Sequence, residues 1–285
     1  MRIEQVTSAQ NPKIKNLLSL QEKSRTRREQ GLFVVEGRRE LAHALEAGFR
    51  PRTVFVCPEL AGDRWPVGAG HDEGLEAVLP GLASSTVIPG LTRDLNLVEI
   101  PESLYRKVAY RESTEGVIAE MEVQERHLED LPLSEHPLIV VLESVEKPGN
   151  LGAVLRSADA ARADAVIVCD PLTDLWNPNL IRASLGGIFT VPTVCATSEE
   201  TIAWLKTHGI RILTAQLQDS AWYYDIDMTG GTALVMGTES TGLTDRWRAA
   251  ADAHIRIPML GRLDSLNVSV SAAILLFEAV RQRNS

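Results

Sequence analysis

The clearest indication of the fold class is the segment LIVVLESVEKPGNLGAVLRSADAARADAVIVCD, residues 138–170. It opens with a continuous apolar run at 138–143 and closes with another at 165–170. Short apolar runs of this kind are typical of strands buried on both faces of a sheet. Residues 150–162, which lie between the runs, have the spacing of a helix. The stretch therefore predicts a strand, a helix and a second strand, the repeating unit of an α/β fold.

The same alternation continues to the end of the chain, with predicted strands at 188–194, 211–216, 232–237 and 254–258, and predicted helices at 177–185, 198–209, 244–252 and 267–283. This order predicts a mainly parallel sheet with helices on both faces, spanning residues 138–285. The last helix is apolar on all sides at 272–277. We expect it to be buried in the domain or at a subunit contact.

The amino-terminal half predicts a separate small α/β domain over residues 1–123. Its expected elements are a helix at 11–30, strands at 32–37, 53–57 and 114–123, a helix at 38–48, a loop at 58–74, a short helix in GLEAVLPGL and a strand in STVIPG. Residues 124–137 are charged and contain two prolines, which is typical of a linker.

The composition bounds the class of protein. The chain has 285 residues, enough for two domains, and 44% hydrophobic and 24% charged residues are ordinary for a globular protein. We expect no membrane contact, since no apolar run reaches roughly 20 residues, and we see no secretion signal at the start. The cysteines Cys57, Cys169 and Cys195 form no CxxC pair. They predict a cytoplasmic protein with no disulfide framework and no metal site.

The formal net charge of −9 argues against a nucleic-acid partner, but the charges are unevenly distributed. Residues 13–39 contain eight basic and three acidic side chains. Such a cluster can neutralise phosphates on a protein that is acidic as a whole. The alternative, a solvated helix face, stays open from charge alone.

Three segments carry candidate chemistry, each at the end of a strand or the start of a helix, where open α/β sheets bind ligands. In EKPGNLGAVLR, 146–156, Asn150 is placed to cap the helix. Arg156 gains nothing from the helix dipole so near its positive end. It is therefore expected to face an anion, either an RNA phosphate or a carboxylate of the protein.

The second segment, LVMGTESTGLTDRW at 234–247, predicts a strand that stops at Gly237 and a loop kept tight by Gly242. Glu239 argues against a triphosphate cradle and suits a ligand with a positive centre or hydroxyls, or else faces solvent. In the third, IRIPMLGRLDSLNVSVSAA at 255–273, Ser265 and Asn267 lie at the mouth of the last helix. Either of them is also a candidate helix cap.

The strings NLGAVLRSADA, LVMGTESTGL and IPMLGRLDSLNVSVSAA, taken together, resemble the three signature motifs of the SpoU (TrmH) family of RNA 2′-O-ribose methyltransferases, within the SPOUT superfamily. The resemblance is strong over about residues 137–283. NPKIKNLLSL and FVVEGRRELAHALEAG also resemble the family's amino-terminal RNA-binding domain, which is similar to certain ribosomal proteins. Residues 58–112 match least well.

The resemblance implies a trefoil knot at the carboxyl end, a homodimer whose active-site residues meet near the subunit contact, and S-adenosylmethionine bound in a bent form. It implies that main-chain groups of Gly237, Ile257 and Leu266 hold the adenosine part. The matching polar catalytic positions are Asn150, Arg156, Glu239, Ser265 and Asn267. The implied reaction is 2′-O-ribose methylation of a structured RNA, with 23S ribosomal RNA as first choice and transfer RNA as the alternative.

The role of Arg156 stays open. The family account makes its equivalent a base assisted by an RNA phosphate, whereas a guanidinium is normally locked in its charged form. The alternative is that Arg156 grips a phosphate and stabilises the developing alkoxide. The segment GAGHDEG, 68–74, lacks GxGxxG spacing and a preceding strand, which disfavours a dinucleotide-dependent or Rossmann-type enzyme. A non-catalytic RNA-binding protein would require losses at the signature positions, and none is seen.

Overall fold

The structure, a computed structural model, describes residues 3–61, 95–110, 115–238 and 241–284. They form two compact units, one comprising Met1–Gln124 with Trp176–Ile181, the other Glu125–Leu175 with Arg182–Ser285. The predicted limits of 1–123, 124–137 and 138–285 stay a prediction. The predicted short helix in GLEAVLPGL and the strand in STVIPG lie outside the described residues.

The first unit is built on a five-stranded sheet. Its elements are β1 (Ile3–Gln5), α1 (Pro12–Glu22), α2 (Ser24–Gln30), β2 (Leu32–Glu36), α3 (Arg38–Glu46), β3 (Pro51–Val56), α4 (Pro58–Ala61), β4 (Asn96–Glu99), α5 (Glu102–Val108) and β5 (Val117–Glu122). The strand order is β1-β4-β3-β5-β2, and β5 runs antiparallel to β2 and β3. This unit is therefore α/β with a mixed sheet.

The helix predicted over 11–30 is two helices, interrupted at Lys23, whose backbone is extended. The buried guanidinium of Arg27, in α2, donates hydrogen bonds to the carbonyl oxygens of Leu20 and Gln21 in α1. The last carbonyls of a helix need partners. Arg27 supplies them here, so one member of the basic cluster at 13–39 serves the fold rather than a ligand.

The second unit contains a seven-stranded sheet. Its elements are β6 (Leu138–Glu143), α6 (Pro148–Ala160), β7 (Ala165–Cys169), α7 (Pro178–Ser184), α8 (Gly187–Thr190), β8 (Thr193–Ala196), α9 (Ser198–Thr207), β9 (Arg211–Ala215), β10 (Ala221–Trp222), β11 (Thr232–Met236), α10 (Asp245–Ala250), β12 (Ala253–Arg256) and α11 (Val268–Arg283). Residues 178–181 of α7 group with the first unit. Leu128 and Leu131, in the predicted linker, are buried against the core of the second unit.

The strand order is β10-β12-β9-β11-β6-β7-β8, and every pairing among these strands is parallel. This confirms the predicted parallel sheet. Strand β11 lies between β6 and β9, at the point where the order along the chain reverses. The carboxyl ends of all the strands meet at one edge of such a sheet, and ligands bind there at the point of reversal. The trefoil knot implied by the resemblance stays a prediction.

The strand predicted at 188–194 is wrong in its first half, because residues Gly187–Thr190 form the one-turn helix α8 and the strand begins only at Thr193. A Cβ at Gly187 would lie 3.3 Å from the carbonyl carbon of Leu155 in α6, so α8 packs closely on that helix. Tertiary packing overrides the β propensity of Ile188 and Phe189, which lie within this turn. Within the described ranges, no helix has the length and apolar character needed to cross a bilayer.

Candidate functional site

A cavity of about 350 Å³ opens at the carboxyl ends of β9, β11 and β12. Gly237, Ile257 and Leu266, the residues predicted to hold the adenosine part of a cofactor, all line it, and so does Ser265. Gly237 directly follows β11 and Ile257 directly follows β12, so the parallel sheet itself brings these two positions to one edge. The volume is within the range of small-molecule sites.

At Gly237 the backbone passes very close to the backbone of Gly242 and Leu243. A Cβ on this residue would overlap the carbonyl group of Gly242 and the backbone nitrogen of Leu243. Gly242 has a φ of +68°, a left-handed conformation that favours glycine, and its N–H donates to the carbonyl oxygen of Thr238. The loop after β11 is thus folded back on itself against the cavity, as the two glycines predict. Glu239, within this loop, lies outside the described residues.

Asn150 and Asn267 are brought together although they are far apart in sequence. The side-chain nitrogen of Asn267 donates to Oδ1 of Asn150 at 3.1 Å. Asn267 also caps α11, because its Oδ1 accepts from the backbone N–H of Ser269. The prediction that Asn150 caps its own helix is wrong, since α6 begins at Pro148 after Lys147 at the cap position. Asn150 instead lies in the first turn, and its side chain bridges to the mouth of α11.

A second, smaller cavity of about 130 Å³ joins this asparagine pair to the larger one. Asn150 lines the smaller cavity, and Gly237, Thr238 and Val268 line both. Ser265 is exposed, and its hydroxyl donates to Oδ1 of Asp264 at 3.3 Å. Five of the predicted polar and cofactor positions, Asn150, Gly237, Ile257, Ser265 and Leu266, therefore line two neighbouring cavities of a single chain.

Arg156 lines neither cavity. It lies in α6 and is exposed. Its side chain forms no hydrogen bond or ion pair with any residue that the structure describes. Of the two anions that the sequence left open as its partner, a carboxylate in the described part of the protein is thereby excluded. The body of α6 is held tightly behind it, because a Cβ at Gly152 would lie 2.6 Å from that of Ala183. A rigid helix thus presents an unpaired cation.

Sequence reasoning missed a buried carboxylate at the same edge of the sheet. Glu143, the last residue of β6, is 4% exposed. It accepts hydrogen bonds from the backbone N–H and the hydroxyl of Thr244, at 2.9 and 2.7 Å. The hydroxyl oxygen of Ser198 lies 3.4 Å from Glu143 but only 2.6 Å from Oδ2 of Asp170, to which it donates. That hydroxyl also accepts from the indole N–H of Trp247. A charged residue closing an otherwise apolar strand was the signal available in the sequence.

We expect Glu143→Ala to lower the free energy of unfolding by about 2 kcal/mol, because it removes the charged acceptor of the Thr244 N–H and hydroxyl at the start of α10. Urea unfolding followed by tryptophan fluorescence measures this. The matched control is Glu199→Ala, which removes an exposed carboxylate paired with Arg246 at 3.6 Å and should cost less than about 1 kcal/mol. Equal effects of the two substitutions would contradict a structural role for Glu143.

The larger cavity fits a cofactor better than a metal ion. Three of the residues that line it each have a buried side-chain atom without a hydrogen-bond partner among the described residues: Oε1 of Gln216, Nε of Arg248 and Nε of Arg256. Buried polar atoms need a polar partner, which a bound ligand or ordered water supplies. No group of three or more His, Cys, Asp or Glu side chains in the described ranges is arranged to hold a metal.

Two of the cysteines are unreactive. Burial raises the pKa of Cys57 to about 11 and that of Cys169 to about 12, so both thiols are protonated at neutral pH.

Comparison with known proteins agrees with this geometry. The SpoU rRNA methylase family matches residues 137–277, and the MRM3-like substrate binding domain matches residues 11–119. The 23S rRNA (uridine(2479)-2′-O)-methyltransferase of Streptomyces viridochromogenes is 30% identical over 261 residues, which cover 90% of this chain and 84% of that protein. The 23S rRNA (guanosine(2553)-2′-O)-methyltransferase RlmP of Bacillus subtilis strain 168 is 26% identical over 276 residues, which cover 96% of this chain and 98% of that protein.

A solved structure, the AdoMet-bound rRNA methyltransferase from Sinorhizobium meliloti, matches 98% of both chains with a TM-score of 0.83 and 30% identity. The fold and the site therefore define an α/β methyltransferase that uses S-adenosylmethionine, consistent with the SPOUT superfamily. Within that class, the chain belongs to the SpoU rRNA methylase family. Membership of this family agrees with the sequence analysis, which disfavoured a dinucleotide-dependent or Rossmann-type enzyme.

Proposed function

We propose that this protein transfers a methyl group from S-adenosylmethionine to a ribose 2′-hydroxyl of 23S ribosomal RNA. The observation that carries the proposal is the cavity at the ends of β9, β11 and β12, with Gly237, Ile257 and Leu266 in its wall and the Asn150–Asn267 pair beside it. Relatives named for uridine and guanosine nucleotides of 23S rRNA support this class of substrate and leave the nucleotide undetermined. Methylation of ribosomal RNA is consistent with the predicted cytoplasmic location of the protein.

The bound cofactor supplies an electrophilic methyl group on its sulfonium. The ribose oxygen would form its bond to that methyl as the methyl–sulfur bond breaks, which leaves S-adenosylhomocysteine, and the hydroxyl proton would pass to water. The tasks of the protein are to align the ribose oxygen with the methyl and to stabilise the charge that develops on the oxygen. Arg156 is the residue for the second task, because its exposed guanidinium has no partner within the described residues. It would grip an RNA phosphate and stabilise the alkoxide, since a guanidinium stays charged and is a poor base. Asn150, Asn267 and Ser265 would orient the ribose, and Glu239 would order its loop.

A homodimer would bring Arg156 to a cavity that it does not line in its own chain. The predicted burial of the last helix is incomplete here, since Val270 and Phe277 of α11 are 47% and 48% exposed. Leu260 and Leu263, in the loop before α11, are more exposed still. These apolar side chains form a surface suited to a second copy of the chain. We therefore propose that each active site combines the cavity of one subunit with Arg156 of the other.

The proposed function is tested by incubating the purified protein with methyl-labelled S-adenosylmethionine and either 23S ribosomal RNA or total transfer RNA. Nuclease digestion and mass spectrometry then locate the label. We expect one 2′-O-methylated nucleotide in 23S RNA. Label on a base, or on transfer RNA alone, would contradict the proposed substrate. No transfer to any RNA, despite cofactor binding, would indicate a non-catalytic RNA-binding protein.

The basic cluster of the first unit would contribute RNA affinity, but only part of it is available. Arg27 is buried, Arg38 donates to the carbonyl oxygen of Ala61, and Lys13, Arg25 and Arg39 form ion pairs with Glu4, Glu29 and Glu40. Lys15, Lys23 and Arg28 are exposed and have no ion-pair partner among the described residues. These three residues are the candidates for phosphate contacts.

We expect the triple substitution of Lys15, Lys23 and Arg28 by Ala to weaken RNA binding roughly tenfold near 0.1 M salt, because each residue neutralises one phosphate. The slope of log affinity against log salt should become shallower by about 2. Filter binding at several salt concentrations measures both quantities. The control Arg25→Ala removes a charge already offset by Glu29 at 2.7 Å and should change the slope little. An unchanged slope in the triple variant would place the RNA elsewhere.

A further inference from the structure

Buried polar side-chain atoms without a hydrogen-bond partner are concentrated among the residues that line the larger cavity. Five buried side-chain nitrogen or oxygen atoms lack a hydrogen-bond partner among the described residues, and three of them belong to residues that line this one cavity. They are Oε1 of Gln216, Nε of Arg248 and Nε of Arg256. A buried polar group without a partner costs about 1–3 kcal/mol, so such a concentration indicates that a ligand completes their hydrogen bonds.

Arg256 is held in place without using its donors. It ends β12, pairs in register with Trp222 of β10, and its guanidinium stacks on the Trp222 ring with the central carbon 4.3 Å from the ring centroid. Stacking occupies the face of the guanidinium and leaves the N–H groups in its plane free for an acceptor. The guanidinium of Arg256 forms no hydrogen bond or ion pair with a described residue. It is therefore a preorganised donor at the rim of the cavity.

Arg248 reaches the same cavity from α10. Its Nη1 lies 3.7 Å from Oδ1 of Asp245, and its Nε has no partner in the described ranges. The neighbouring Trp247 is fully buried and fixes this helix against the core. Asp264 is the one carboxylate among the described residues that line the cavity. The ion pair of Arg248 is long and its partner Asp245 is fully exposed to solvent, outside the cavity lining. Inside the lining, two guanidinium groups are balanced by one carboxylate, so this wall favours an anionic group.

S-adenosylmethionine has one anionic group, the carboxylate of its methionyl end, and its adenosine part has none. We propose that Arg248 and Arg256 bind that carboxylate, and that Oε1 of Gln216 accepts a hydrogen bond from the adjacent ammonium. Hydrogen bonds between guanidinium and carboxylate groups are among the stronger ones in proteins. The proposal deepens the proposed function, because it rests on cofactor binding in this cavity, and it does not depend on which RNA is methylated.

The test uses isothermal titration of the full-length protein without RNA. The two ligands are S-adenosylmethionine and 5′-methylthioadenosine, which keeps the nucleoside and sulfur but lacks the amino-acid end. We expect Arg248→Met and Arg256→Met each to raise the Kd for S-adenosylmethionine about ten- to a hundredfold. Their Kd for 5′-methylthioadenosine should change less than about twofold. Arg256→Lys keeps the charge but loses the planar fork, and it should fall between wild type and Arg256→Met.

The matched control is Arg246→Met, on the same helix, where the exposed guanidinium pairs with Glu199 instead of lining the cavity. It should leave both affinities unchanged. Equal losses for the two ligands would mean that the arginines hold the nucleoside or the fold, and unchanged affinity for S-adenosylmethionine would mean that they bind something else. Either result overturns the proposal. Failure of the wild-type protein to bind either ligand would instead overturn the proposed function.

Discussion

Arg156→Ala should lower kcat for RNA methylation about a thousandfold while leaving the Kd for S-adenosylmethionine and the melting temperature within error of wild type. The rate falls because the group that stabilises the developing alkoxide and grips the RNA phosphate is lost. Cofactor binding is unaffected because Arg156 lines neither cavity of its chain. Stability is unaffected because the side chain is exposed and has no partner in the described part of the structure.

Single-turnover methyl transfer, isothermal titration and thermal unfolding measure the three quantities. Lys206→Ala removes an exposed cation from α9 in the same unit and controls for the loss of one positive charge. Arg156→Lys should recover a small part of the rate, since it restores the charge without the planar fork. Full turnover by Arg156→Ala would reject its assignment, and parallel losses of rate and cofactor affinity would make it a cofactor-binding residue instead.

The same variant tests whether the active site is shared between subunits. Leu266→Trp should block the cofactor cavity, because Leu266 lines it and the indole is much larger than the leucine side chain. If the cavity and Arg156 come from different subunits, mixing the two inactive variants under exchange conditions yields heterodimers with one intact site. Activity should then return to about a quarter of wild type, by random reassortment. No recovery, in a mixture shown to contain heterodimers, would place both elements of the site in one chain.

Gly237→Ala should abolish measurable cofactor binding and lower the free energy of unfolding by about 3 kcal/mol. The added methyl group overlaps the carbonyl group of Gly242 and the nitrogen of Leu243, which are backbone atoms that cannot rotate away. The loop must therefore move, at a cost typical of overpacking. Because Gly237 and Gly242 both line the larger cavity, that movement deforms the cofactor site.

Gly261→Ala is the matched control, since a Cβ on Gly261 meets no atom within 4 Å. It adds the same methyl group and should change neither cofactor affinity nor stability by a measurable amount. Urea unfolding and isothermal titration distinguish the variants. If Gly237→Ala binds S-adenosylmethionine with wild-type affinity, the turn between β11 and α10 is not part of the cofactor site.

The local pattern of the sequence was enough to predict the parallel sheet and to locate the candidate loops. Apolar runs such as 138–143 and 165–170 identify buried strands, because burial on both faces demands apolar side chains at every position. Parallel strands then place their carboxyl ends at one edge, so Gly237 and Ile257 had to be near each other. The resemblance to the signature motifs alone pointed to Leu266, and it gave a catalytic role to Arg156 and Ser265, which their places near the starts of helices had already singled out.

Other features depended on contacts between distant residues. Residues 187–190 form a helical turn because Gly187 packs on α6, although their side chains favour a strand. Lys23 interrupts the first helix, and Arg27 satisfies the carbonyls at the break. The function of Glu143 as the acceptor for Thr244 was not readable from either segment alone, since 101 positions separate the two.

The order of strands and helices and the residue types at their ends follow from local sequence, because burial and turn geometry act on neighbouring positions. The partners of polar atoms depend on how the whole chain folds. The tertiary structure paired Asn150 with Asn267, left Arg156 outside its own cavity, and turned Arg248 and Arg256 towards it. The physical reason is that hydrogen bonds and charges act over a few ångströms in space, and no local pattern specifies which distant segments fold to within that distance.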